Sequence, residues 1–428
     1  MNTLDKITAE GIIPFTFHNY SPWGSPAGCA AAVKDWVDLG ITVGRMPGYD
    51  PEVNKKEDVL AVLDACAEAG IHTFITDRRC SMGRMFELEG DEDAYRRGFD
   101  QSLKDFGDHP ATFGYDVGDE PAHQYIKMAY RTYTIQRETA PHLTPFMSCA
   151  GYSPGGAEWM GLRSYNRYID RLVEDANPPM LFHGSYALGC TEPDALDMHF
   201  LTHKMYSDAA KRHGDMPVWG TYLCTGHYNY FCPTATDLRW QISLAFALGL
   251  KGMAWFNVYI HRPEENYRWP PINEFGERTH TFDWLSYELR LFQKTYGKTM
   301  MGLTYQQGYH IDNDRLGGYP NTIDSELVKA AEFIGPKHPL FISEFKDAQG
   351  RDYVAVVLND REAYGQVKIT WHGQPKVFKV CGWEREEYEY RKYFDDKWPE
   401  NPTMQTGPWM SPGQMQLFRV EPDTAERL

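Results

Sequence analysis

Asp119 and Glu120 stand side by side after Gly118 and before Pro121, at the close of the apolar run FGYDVGDEP spanning residues 113–121. A carboxylic acid next to a second carboxylate resists ionisation, so one of the two can hold a proton near neutral pH and act as a general acid. Glu120 is the leading catalytic candidate on that ground. The competing structural role is helix capping, since carboxylates favour the exposed N–H groups of a helix start and a helical stretch, HQYIKMAY, follows. Pro121 ends the strand and fixes the direction of the turn.

Polar residues close the other apolar runs as well. His18, Asn19 and Tyr20 follow the first; Arg45, Tyr49 and Asp50 the second; Asp77, Arg78 and Arg79 the third; Ser148 and Tyr152 the fifth. The sixth gives His183, Tyr186 and Glu192, the seventh Tyr222, Thr225, His227 and Tyr228, and the eighth Asn257, Tyr259, His261, Glu264 and Glu265. Carboxylates, amides, guanidinium groups and aromatic rings together suit a ligand with many hydroxyls and one apolar face, such as a sugar ring, although a wet rim would also be polar. The substrate contacts expected from this set are His18, Trp23, Arg45, Tyr49, Asp77, Arg78, His183, Tyr186, His227, Tyr228, Asn257, Tyr259 and Trp269.

These residues need a scaffold that gathers strand ends. Apolar runs at GIIPFTF, ITVGRMP, IHTFITD, ATFGYDVGDEP, LTPFMSCAGY, PPMLFHGSYAL, MPVWGTYLC and KGMAWFNVYI alternate with amphipathic stretches, the pattern of parallel βα units. Gly70 after DVLAVLDACAEA is a helix-stop signal. Eight strand–helix pairs predict an α/β fold, a (β/α)8 TIM barrel over residues 1–302, with its chemistry at the C-terminal strand ends. A doubly wound open sheet is the alternative, weakened by the lack of a GxGxxG turn. From about residue 303 helical periodicity stops, and LFISEFKD, DYVAVVLND, GQVKITWHG, KVFKVCGW and MQLFRVEP predict an antiparallel β-sandwich over 303–428.

Composition narrows the partners. The 428 residues carry 43 Lys plus Arg against 59 Asp plus Glu, a formal net charge of −16 with no basic run, so nucleic acid is not an expected partner. No apolar stretch approaches the roughly 20 residues of a membrane span, and the N-terminus has no basic-then-apolar leader. A cytoplasmic location without membrane association is the expectation; self-association into a homo-oligomer stays open. The eight cysteines lack CxxC spacing, which points to small buried side chains and a reducing compartment.

The glycine-bounded fourth strand ending in carboxylate-Glu-Pro resembles the Asn-Glu-Pro signature of retaining clan A glycoside hydrolases, whose acid/base Glu closes the fourth strand of a (β/α)8 barrel. HPATFGYDVGDEP is closer to uncharacterised bacterial glycosidase-like proteins with a Gly-Asp-Glu-Pro motif and a C-terminal β-sandwich. PTATDLRWQISLAFALGLKGMAWFNVY is similar to the seventh helix and eighth strand of such barrels, and MSPGQMQLFRV to their last sandwich strands. The resemblance implies an O-glycosyl hydrolase acting on a carbohydrate or glycoside, with Glu120 as acid/base. Two departures stand out: Asp119 replaces the Asn, and VWGTYLCTGHY has no carboxylate where the family places its nucleophile. Glu264 or Glu265, beside Tyr267 and Trp269, are the favoured substitutes, with Glu192 and Asp77 as further candidates; Asp119 is counted with Glu120 in the catalytic pair.

No cofactor and no metal site are expected. The strand-end histidines show neither HxH on the first strand nor HExxH anywhere, and GxSxG and GxxxxGK[ST] are also absent. Rival readings are a metal-dependent sugar isomerase or lyase drawing Glu120, Asp77, His183 and His227 together, a carbohydrate-binding relative without catalysis, and an interaction scaffold.

Overall fold

The computed structural model describes residues 1–122, 124–161, 164–189, 195–260, 266–382, 386–390 and 404–422. Strands and helices alternate through α1 (Thr3–Ala9), β1 (Phe15–Phe17), α2 (Ala32–Leu39), β2 (Val43–Arg45), α3 (Lys56–Ala69), β3 (His72–Ile75), α4 (Met82–Glu87), α5 (Glu92–Ser102) and β4 (Thr112–Asp119). They continue with α6 (Ile126–Thr139), β5 (Phe146–Ser148), α7 (Gly156–Trp159), α8 (Tyr165–Ala176), β6 (Leu181–Gly184), α9 (Ala195–Arg212), β7 (Val218–Leu223), α10 (Ala235–Ala247), β8 (Gly252–Phe256) and α11 (His280–Met301). The helices follow from local chemistry. In α8, Tyr168, Ile169, Leu172, Val173 and Ala176 form one buried face, Ser164 caps the start by accepting from the Arg167 N–H, and Asn177 closes the end in the left-handed region. Gly70 terminates α3 at φ 71°, as its position after the periodic run predicts.

The strands form two parallel four-stranded sheets, ordered β1-β8-β7-β6 and β2-β3-β4-β5. Backbone bonds join the sheets at both edges: Thr42 N–H donates to Phe15 O at 3.0 Å, Cys149 N–H to Phe182 O at 3.1 Å and Gly184 N–H to Cys149 O at 2.8 Å. Inside, β2 through β8 each contribute one side chain to a common core of Val43, Phe74, Phe113, Phe146, Phe182, Trp219 and Ala254. Burying a large apolar side chain of this kind contributes roughly 1.5–3 kcal/mol.

β4 departs from a regular strand twice. Its pairing slips by one residue against β3 between Thr112 and Gly114, and again against β5 between Asp116 and Gly118. Each extra residue reverses the side-chain alternation. Phe113 therefore enters the inner core, Tyr115 packs on Phe99 of α5, Asp116 turns inward again, and Val117 joins the buried cluster under α6 and α8.

Beyond α11 the chain is all β: β9 (Leu303–Ile311), β10 (Val328–Phe333), β11 (Leu340–Asp347), β12 (Asp352–Leu358), β13 (Gly365–Trp371), β14 (Lys376–Val380), β15 (Glu387–Glu389), β16 (Gln405–Thr406), β17 (Trp409–Met410) and β18 (Met415–Glu421). A six-stranded antiparallel sheet, β15-β14-β18-β12-β11-β9, shares a core with the smaller β10-β13-β16 sheet through Ile342, Val356, Ile369, Trp371 and Phe418. The opposite face of the larger sheet packs on the helices. Trp240 Nε1 donates to Asn359 Oδ1 at 2.7 Å, and Tyr296 Oη to Met415 O at 2.9 Å.

Two expectations change here. α6 starts at Ile126 with Tyr125 at its N-cap and no side-chain cap, so neither Asp119 nor Glu120 caps it. The irregular-looking segments after residue 303 also hold β9 and β10, whose mixed burial hides the alternation in the sequence.

Candidate active site

Four strands meet in one chain of polar contacts at their C-terminal ends. Arg45, which ends β2, forms a buried ion pair with Asp116 of β4 through Nη2, while its Nη1 lies 2.7 Å from His18 Nδ1 just past β1. A guanidinium can only donate, so Nδ1 is the acceptor and the ring hydrogen sits on Nε2, which donates to Thr221 Oγ1 of β7 at 3.0 Å. Burial, reinforced by the charge of Arg45, pushes the His18 pKa down to about 3. The imidazole is a neutral strut of fixed tautomer.

Asp119 and Glu120 rise from this floor. Tyr20 Oη donates to Asp119 Oδ2 at 2.8 Å and lies 3.2 Å from His18 Nδ1, which is already served by Arg45. Gly118 at φ 147° packs so closely on Met82 that an added Cβ would come within 2.9 Å of it. Glu120 itself sits at φ 41°, a region non-glycine residues rarely occupy, and its N–H donates to Ser148 O at 2.8 Å. A Cβ built on Gly184 would lie 3.4 Å from Glu120 Oε1, which places the carboxyl over the end of β6.

Water reaches Glu120 from the mouth, but protein surrounds it on the other sides. That loss of hydration, then the charge of Asp119, pushes its pKa up to about 7. Glu120 can therefore give and take a proton near neutral pH.

A cleft of about 620 Å³ opens beside the pair over the ends of β1 to β4, walled by Tyr20, Arg45, Asp50, Arg78, Asp116 and Asp119. Its size suits a small organic ligand. The other side of the mouth is aromatic: Phe256 lies 6.4 Å from Tyr20, 6.0 Å from Tyr186 and 6.2 Å from Tyr267, and His227 stacks on Tyr230 at 4.9 Å. An antiparallel bridge between Gly226 and Arg268 ties the loops after β7 and β8 together, and Tyr228 (60% exposed) and Trp269 (61%) stand on them.

No protein-family model matches the sequence, and no curated protein matches it. Among solved structures, a family 5 glycoside hydrolase from Bacteroides vulgatus is similar over 97% of this chain and 89% of its own, at 10% identity and a TM-score of 0.55. A structure described as a glycoside hydrolase is similar over 97% and 93%, at 10% identity and TM-score 0.56. A family 51 arabinofuranosidase from Xanthomonas axonopodis pv. citri is similar over 97% of each chain, at 10% identity and TM-score 0.50. The chain has the fold of glycoside hydrolases. At these identities the likeness concerns the glycoside hydrolase fold, and the site has to be judged on its own geometry.

On that geometry the residues expected from the sequence separate into groups. His18, Arg45, Asp119 and Glu120 come together on the floor, Tyr186 and His227 belong to the aromatic side, and Tyr228 and Trp269 crown the rim. Arg78 reaches the cleft while paired with Asp50 at 2.8 Å. Trp23 donates to Gly48 O at 2.9 Å, and Asn257 is buried with neither amide atom hydrogen-bonded.

Three side chains turn elsewhere. Asp77 is bound by Arg79 at 2.7 Å and Ser102 at 2.6 Å; Tyr49, with only its edge on the cleft, packs on Phe106. Tyr259 accepts from Trp36 Nε1 at 2.9 Å on the helix side. His183 also leaves the mouth: its neighbour Phe182 takes the inner core, so the imidazole packs on His203 and Tyr206 behind β6.

The set Glu120, Asp77, His183 and His227 is thus not gathered, and among the described residues no three His, Cys, Asp or Glu side chains are placed to hold a metal ion. β7 and the residues that follow it to His227 present no carboxylate. Glu192, His261, Glu264 and Glu265 lie outside the described residues. Tyr230 and Phe256 are site residues that the strand ends do not point to; Tyr20, Asp116 and Tyr267 stand at or near strand ends in the sequence but are not among the expected substrate contacts.

Proposed function

We propose that this protein is a glycoside hydrolase built on a closed (β/α)8 barrel over 1–302 and a β-sandwich over 303–428, acting on a carbohydrate or glycoside with Glu120 as general acid/base. The observation that carries this reading is Glu120 itself. It directly follows β4, overhangs β6 and stands next to Asp119 on the wall of a cleft of about 620 Å³, and burial with the neighbouring carboxylate pushes its pKa up to about 7. Protonated Glu120 would deliver its hydrogen to the glycosidic oxygen as that bond breaks; on a retaining route it would then take one from the attacking water, and on an inverting route the second carboxylate would do so.

Asp119 stands where related enzymes carry an amide. Held by Tyr20, it presents an acceptor to a sugar hydroxyl and keeps Glu120 from ionising early. The second catalytic carboxylate is assigned to Glu264 or Glu265, with Glu192 as the alternative. A separation from Glu120 of about 5 to 5.5 Å would give a covalent, retaining route, and about 6.5 to 9.5 Å an inverting one. Tyr186, His227, Tyr228 and Trp269 would offer flat faces to the sugar.

The test is the dependence on leaving group. Against a panel of aryl and alkyl glycosides, Glu120→Gln should lose about 10²- to 10⁴-fold in kcat/KM on poor leaving groups and far less on dinitrophenyl glycosides, which need no proton. Equal losses on both would remove Glu120 from the acid role; full retention of sugar binding with no turnover by the unaltered chain would favour the carbohydrate-binding reading.

A further inference from the structure

At the opposite end of the parallel strands from Glu120, a cavity of about 210 Å³ lies at the junction of α9, α11 and β9, lined by Thr8, Ser207, Lys211, Lys251, Thr304 and Tyr305. Lys251, just before β8, donates through Nζ to Met300 O at 2.6 Å and also to Leu303 O. Lys211, in the last turn of α9, donates to Gln306 O and lies 5.1 Å above the Tyr305 ring.

Two amines thus face one cavity, and the groups they touch are neutral carbonyls and a ring. Asp215 is the one carboxylate on the lining, and among the described residues no carboxylate comes within ion-pair distance of either amine. Asp208 and Lys204, further along α9, pair with each other at 2.7 Å. An ammonium taken out of water without a counter-charge is costly. Burial accordingly pushes Lys251 down to about 7 and also lowers Lys211. The hydroxyls of Thr8 and Thr304 add potential donors around the same space, while Ser207 Oγ donates to Leu248 O at 3.3 Å.

We propose that this cavity is a binding site for a small oxyanion of the phosphate class, held by Lys251 and Lys211 where the parallel strands meet the C-terminal strands. The anion supplies the counter-charge that Lys251 lacks, and adds to the more distant charges of Asp208 and Asp215 that act on Lys211. The competing role is purely structural: Lys251 capping the carbonyls at the end of α11, where the helix dipole favours a cation.

Calorimetric titration of the full chain with inorganic phosphate near pH 8, in two buffers of different ionisation heat, separates these roles. The expected result is saturable binding with proton uptake, because Lys251 gains its proton as the anion arrives; the uptake fades near pH 6, where the amine is already charged. Lys251→Met and Lys211→Met should each weaken binding about ten- to a hundredfold, the effect of losing one charge-assisted hydrogen bond. Should Lys251→Met fail to fold, ¹³C NMR of the dimethylated lysines in the unaltered chain serves instead, with the Lys251 titration moving to higher pH on phosphate addition. Absence of binding to phosphate and sulfate, or binding that neither substitution weakens, overturns the proposal and leaves Lys251 a helix cap. Acetate binding as tightly as phosphate overturns the phosphate class.

Discussion

Tyr20 and Asp119 are joined across the mouth by a 2.8 Å hydrogen bond from the phenol to Oδ2, while among the described residues no donor reaches the carboxyl of Glu120. Neighbours in sequence, the two carboxylates have different surroundings. One is oriented by a partner; the other is left to hold its own proton. Environments that treat two acids differently are how a single site keeps separate acid and charge-bearing groups.

The pH profile should show it. Above about pH 7 the protonated fraction of Glu120 falls, and kcat/KM on a poor-leaving-group glycoside should fall with it. Asp119→Asn removes the adjacent negative charge, so ionisation of Glu120 becomes easier and the alkaline limb should move to lower pH. A limb that stays in place would mean Asp119 does not act on Glu120 through its charge.

Folding stability carries the same signature with a definite sign. The Glu120 pKa is raised from 4.5 to about 7 in the folded chain, so folding favours the protonated form. No cost is present below the unfolded value; it grows as pH rises and is complete above the folded value. Glu120→Gln should therefore raise Tm relative to the parent at pH 8 and leave it unchanged near pH 4, as thermal unfolding at the two pH values would reveal.

Arg45 and Asp116 are both buried, and removing one leaves the other charge without compensation. Arg45→Met should destabilise the protein by about 3–5 kcal/mol in urea unfolding. The double substitution Arg45→Met with Asp116→Asn should recover much of that loss. If the double variant is as unstable as the single one, packing of the guanidinium outweighs its charge.

Gly118→Ala tests the strand end. At φ 147°, with Met82 2.9 Å from the added Cβ, alanine is strained by backbone and neighbour alike. The expected cost is about 1–3 kcal/mol of stability, with a drop in kcat as Glu120 is displaced. Unchanged kcat would show that the Gly118 geometry does not position the acid.

His18 should stay neutral, with its hydrogen on Nε2, throughout the working pH range, because burial and Arg45 hold its pKa near 3. Long-range ¹⁵N–¹H NMR reads the tautomer directly. A ring that charges between pH 5 and 8 would break the assignment of Arg45 as its donor.

Much of this was readable from the residues. The repeat of apolar run and amphipathic stretch marks the parallel strands, and the change of texture near residue 303 coincides with α11 ending at Met301 and β9 starting at Leu303. FGYDVGDEP points to Glu120 as a candidate because two adjacent carboxylates close the strand. What could not be read was which side each strand-end residue faces. His183 and Tyr259 look like mouth residues in sequence, yet the residue before His183 fills the inner core and Tyr259 is tied to Trp36 among the helices. Tyr20 and Asp116 gain importance only through partners far away in the chain, at Asp119 and Arg45, and no local pattern announces such pairs.

β4 acts as a ruler. In an unbroken strand Asp116 would face the helices; the extra residue between Thr112 and Gly114 brings it to the side where Arg45 waits, and the second, after Asp116, sets the side of Asp119. Deleting one residue between 112 and 115 would carry the Asp116 carboxylate into the greasy layer under the helices and strip Arg45 of its partner in the same stroke. The length of this strand is consequently the least negotiable quantity in the site, and new specificity has to be grafted onto the loops around it.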